Sequence, residues 1–164
     1  MSVIVRDKAV GIGLTDAAAV LFVFAVPALS HLTSVPFYLL DPMRMAVLGA
    51  LLFSKNWKNA LVLALALPLF SFAVSGHPVY PKFLLIAAEL SVNVLLFAWL
   101  SRKMNAGIAA FVSILLSKVL YYGFKAAVLS AGLLQAELIS TTIWWQLGVA
   151  VGLSAAFAGL WNRR

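Results

Sequence analysis

The sequence has no cysteine, only five acidic residues and two histidines among 164. The first absence excludes disulfides, thiolate nucleophiles and cysteine-ligated metals. Charged residues make up 10% of the chain, whereas soluble domains carry about a quarter. No Gly-x-x-x-x-Gly-Lys-Ser/Thr stretch is present to hold ATP, and neither His-Glu-x-x-His nor Gly-x-Ser-x-Gly occurs. No linker, low-complexity segment or charge run divides the chain, which reads as one membrane domain over 1–164. The opening "MSVIVRDKAV" lacks an apolar core ahead of a small-residue cleavage site, so no cleaved signal peptide is expected.

What is present is hydrocarbon-compatible sequence. The chain is 64% apolar, enough for about six spans of ~20 residues. The pattern predicts an all-α integral membrane protein, a compact bundle of six transmembrane helices at about 16–32, 42–57, 60–74, 81–100, 106–131 and 141–161. Between the first two, Pro36 and Pro42 both disfavour helix just before them. That favours a long loop over 31–41, with Asp41 capping a helix that has Pro42 at its first position. Arg6, Lys8, Lys55, Lys58, Arg102, Lys103, Arg163 and Arg164 all fall on one side of this arrangement, and Lys82 alone falls in the opposite loops. The positive-inside bias therefore puts both the N- and C-termini in the cytoplasm, and the net charge of +7 needs no nucleic acid to explain it.

Some charges are left over. Arg44, Glu89, Lys118 and Lys125 lie within predicted spans, where an ionisable group is costly and usually faces a cavity or a partner. Lys118, Tyr122 and Lys125 share one stripe of the fifth helix, with Tyr121 beside it. Lys82, Glu89 and Asn93 share a stripe of the fourth, and Trp145 and Gln146 sit at the outer end of the sixth. These residues converge at similar depth in the outer half. The predicted substrate pocket comprises Arg44, Glu89, Asn93, Lys118, Tyr121, Tyr122, Lys125, Trp145 and Gln146. Its positive lean favours a carboxylate or phosphate, and its aromatics would sandwich a planar part. The bland alternatives are lysines that snorkel to the headgroups, an ion pair that only fixes packing, and tryptophans of an interfacial belt.

Small residues form a second pattern. Gly148, Gly152 and Ala156 are four apart on the sixth helix, and Gly13 and Ala17 have the same step on the first. Such faces pack helices closely, either within the bundle or against a partner.

The six short helices, long first outer loop and outward polar pocket, with "HPVYPKFLLIAAELSVNVLLFAWL" as a Pro-containing turn leading into a helix with a membrane Glu, resemble the S components of energy-coupling factor (ECF) transporters. The likeness is one of layout over nearly the whole chain. It implies a high-affinity substrate-binding subunit of an ATP-driven importer in a bacterial or archaeal cytoplasmic membrane, taking up a vitamin-like micronutrient. Residues 31–41 would form the lid. A transmembrane coupling subunit and two ATPases would be the partners, with Gly13, Ala17, Gly148 and Gly152 as candidate docking positions. The family's Ala-x-x-x-Ala pair in helix one is not reproduced in full. Ala17, Ala18 and Ala19 are followed four residues on by Leu21, Phe22 and Val23.

Apart from membrane lipid, no cofactor, metal or nucleic acid is expected as a ligand. The competing reading is a non-transporting membrane scaffold of similar layout that binds partner proteins. An enzyme is disfavoured: a Ser117–Lys118 dyad would need neighbours that face about 100° apart on a helix to meet.

Overall fold

Proline, asparagine and glycine set the ends of the helices. The computed structural model describes residues 3–34, 36–139 and 141–161, without the side chains of residues 3–9. Within these, six α-helices run in order: α1 (Val3–Thr33), α2 (Pro42–Ser54), α3 (Trp57–Ser75), α4 (Lys82–Leu100), α5 (Ala106–Ser130) and α6 (Ile143–Trp161). A 3-10 turn at Phe37–Leu40 precedes α2, and no strand occurs among the described residues. Pro42 opens α2, where its missing N–H costs nothing. Asn56 and Asn105 cap α3 and α5, their side chains accepting from the Lys58 N–H at 3.1 Å and the Gly107 N–H at 2.8 Å. Gly76 ends α3 at φ 69°, a left-handed conformation that glycine adopts without steric cost.

Several boundaries differ from the sequence reading. Helix α1 starts at Val3 rather than Asp16, because no proline lies between them and Gly11 and Gly13 weaken a helix without ending it. Asp16 lies mid-helix and accepts a 2.7 Å hydrogen bond from the Asn59 side chain of α3, which satisfies it within the bundle. Asn56 capping makes α3 begin at Trp57, so Trp57 belongs to α3 and α2 stops at Ser54. Asp41 is not a side-chain cap. It sits in the left-handed region at φ 57°, ψ 61°, with its carboxylate turned to other partners. Arg163 and Arg164 lie outside the described residues, as do the side chains of Arg6 and Lys8.

Five of the helices are long and apolar enough to cross a membrane, which makes this a multi-pass membrane protein. The exception is α2, with 13 residues, about 20 Å at 1.5 Å per residue against ~30 Å of hydrocarbon. It is also the most enclosed helix, packed on α1, α3, α4 and α6. Val47, Leu48, Ala50, Leu51 and Leu52 on α2 join Leu63 and Leu67 on α3, Leu90, Val94 and Phe97 on α4, and Ile114 on α5 in one core. The outer surface is apolar too: Leu21, Val62 and Val119 are among its exposed large side chains, as suits contact with lipid tails. The connections α1–α2, α3–α4 and α5–α6 gather at one end of the bundle, where they share in lining a single cavity.

Candidate functional site

Four charged side chains close a ring at the head of α2. Arg44 Nε lies 3.2 Å from Asp41 Oδ2, and Arg44 Nη2 donates to Glu89 Oε1 on α4. Lys118 Nζ, from α5, completes the ring at 3.2 Å from Glu89 Oε1 and 3.4 Å from Asp41 Oδ2. The i, i+3 step brings Asp41 and Arg44 together, and helix depth brings Glu89 opposite Lys118. The ring has a dry side and a wet side. Arg44 is 1% exposed and Glu89 6%, whereas Lys118 is 25% and Asp41 27%. Asp41 lies ahead of α2, outside its span. Burial alone would raise its carboxyl, but the charges of Arg44 and Lys118 outweigh burial and hold it below its ordinary value.

The wet side faces a partly open cavity of about 750 Å³. The structure brings Arg44, Glu89, Lys118, Tyr121, Tyr122, Lys125 and Gln146 to its wall, seven of the pocket residues read from the sequence. The Tyr121 and Tyr122 rings meet edge to face with centroids 5.3 Å apart. Gln146 donates to the Tyr122 hydroxyl at 2.5 Å and to the Thr141 carbonyl at 2.8 Å, fixing the phenol's position. Lys125 does not snorkel outward. It is buried, and its ammonium donates to the Leu138 carbonyl at 2.9 Å, tying α5 to the α5–α6 connection.

Two of the sequence-predicted residues lie elsewhere. Asn93 is fully buried, and its amide donates to Ser113 Oγ at 3.0 Å across the α4–α5 contact. Its stripe was legible, but it lies one turn past Glu89, below the cavity wall. Trp145 does not line the cavity either. Its indole N–H donates to the Leu39 carbonyl at 3.0 Å, which pins the 3-10 turn to α6.

Lys82, read on the same stripe as Glu89, lines the wall as well, and sequence reasoning missed other wall residues: Tyr38, Asp41 and His77. Asp41 had a signal in its spacing from Arg44, but the loop residues had none, since their position depends on how the connections fold back. The wall therefore carries Arg44, Lys82, Lys118 and Lys125 against Asp41 and Glu89, an excess of positive charge. Such a wall attracts an anion, and the tyrosines offer ring faces and hydroxyls. Among the described residues, no three or more His, Asp or Glu side chains group to hold a metal ion.

The four docking candidates are placed on the outside. Gly13 and Ala17 on α1 and Gly148 and Gly152 on α6 are exposed. A Cβ added at any of the three glycines would meet nothing within 4 Å. The close helix approach lies at Gly107 instead, where an added Cβ would stand 2.6 Å from the Ala158 Cβ of α6. The chain matches no protein-family model, no curated protein and no solved structure, so its chemistry rests on its own residues.

Proposed function

We propose that this chain binds a small anionic, vitamin-like nutrient and takes it up as the substrate-specific subunit of an ATP-driven importer of the ECF type. The observation that carries the reading is the cavity, whose four cationic side chains outnumber its two carboxylates. Its volume of about 750 Å³ suits a small organic molecule. Tyr38, Tyr121 and Tyr122 on its wall would stack against a planar part.

On this reading α2 is the sixth span, both termini are cytoplasmic, and the membrane is that of a bacterium or archaeon. Lys55, Arg102 and Lys103 in the connections, with Lys58 in the first turn of α3, lie at the end away from the cavity, which supports a cytoplasmic placement of that end. Three lysines there lie over tryptophan rings: Lys55 over Trp161, Lys58 over Trp57 and Lys103 over Trp99. Such pairs suit a headgroup boundary. The cavity then faces outward. With no ATP-binding motif of its own, the chain would rely on a coupling subunit and two ATPases. The exposed small residues Gly13, Ala17, Gly148 and Gly152 are the surface offered for that docking.

One observation favours a second reading, a scaffold without a ligand. Arg44, Lys118, Asp41 and Glu89 balance one another within their ring and need no outside anion. Mass spectrometry of small molecules released from gently purified protein separates the two readings. The importer reading expects a stoichiometric compound that is lost from a Lys82→Ala, Lys118→Ala double variant that remains monodisperse. An empty parent protein, with partner proteins co-purifying in its place, would support the scaffold.

A further inference from the structure

The cavity has two unlike halves. Lys82 and Lys118 supply charge at the loop end, and beyond the ring the lining turns apolar: Val23 on α1, Ile114 on α5, and Val149, Ala150 and Leu153 on α6. Gln146 and Leu153 both reach this cavity, so it follows α6 for about two turns, roughly 10 Å. The apolar half lies between α1 and α6, whose facing residues both line it. Helix α1 packs on α2, α3 and the 3-10 turn, and α6 packs on α5 and α2 and holds the turn through Trp145, so α1 and α6 are spaced apart by α2 and the turn, with the cavity between them. Water in such a chamber finds few hydrogen-bond partners, whereas a hydrocarbon chain fits its lining.

We propose that the ligand is an amphiphile. Its anionic head sits at Lys118 and Lys82, and its apolar chain runs along Val149 and Leu153 of α6, opposite Val23 of α1. This inference rests on the anion-binding reading above and narrows its substrate class. The shared chemistry is a carboxylate or phosphate on a hydrocarbon chain, carried either by a free molecule or by a bilayer lipid.

The test uses the full chain in phosphatidylcholine nanodiscs, titrated with butyrate and with octanoate. Octanoate should bind about tenfold tighter or more, because each added methylene leaves water for the chamber. Val149→Trp, and independently Val23→Trp, should erase most of that preference while leaving butyrate binding intact in monodisperse protein. Lys118→Ala should weaken both acids. Competition from phosphatidylglycerol added to the nanodisc would assign the chain to a bilayer lipid, and its failure to compete would assign it to a free molecule; both fit the amphiphile. Equal binding of the two acids, unaffected by either tryptophan, would overturn the amphiphile and leave anion capture standing. No binding of either acid would overturn both.

Discussion

Removing the Arg44 guanidinium leaves Glu89 buried beside a single ammonium that is itself shared with Asp41. Breaking a buried pair from one side costs about 3–5 kcal/mol. Arg44→Ala should therefore lower the thermal midpoint in detergent markedly, and an Arg44→Ala, Glu89→Ala double variant should regain much of the loss. If the single and double variants melt together, the ring does not act as a unit. Asp41 sets a pH dependence. A carboxyl held below its ordinary value of 3.8 contributes stability that is complete above that value and lost as pH falls through the lower folded one. Asp41→Asn should flatten the acid limb of the stability curve below about pH 4 and leave its shape near neutrality unchanged. A parent and variant with parallel acid limbs would show that Asp41 is not held in its charged form by the ring.

At the scale of elements, the glycines divide into two kinds. Gly107 allows α5 to approach α6, with only 2.6 Å from an added Cβ to Ala158. Gly107→Val should cost about 1–3 kcal/mol by overpacking, read as a drop in midpoint. Gly152 has open space around it, so Gly152→Leu should change stability by less than about 0.5 kcal/mol. On the importer reading it would still block transport by crowding the coupling subunit. The 3-10 turn Phe37–Leu40 is held to α6 by the Trp145 indole. Trp145→Phe removes one hydrogen bond of ~1 kcal/mol, so amide exchange over residues 36–41 should rise about fivefold. Unchanged exchange there would mean that the turn is fixed by other contacts.

At the scale of the molecule, the absence of cysteine makes orientation directly measurable. A single cysteine at Lys103 should react with a membrane-impermeant maleimide only after the membrane is opened, and one at Val79 should react in intact cells. The reverse pattern would put the cavity on the cytoplasmic side and remove the uptake reading. Membrane residence and an all-helical fold were legible in the sequence, because each follows from local composition: long apolar runs must satisfy their own backbone in lipid, and only helices do so within one segment. The meeting of Arg44, Glu89 and Lys118 was legible as well, since helical rise sets depth and buried charges seek partners. The role of Asp41, the bond from Lys125 to the Leu138 carbonyl and the latch from Trp145 to Leu39 were not. Each depends on where a connection returns across the bundle. Only tertiary structure decided that Asn93 lies below the cavity and that α1 and α6 face each other across it, because a helical stripe fixes the face a residue shares but not the neighbour that face will meet.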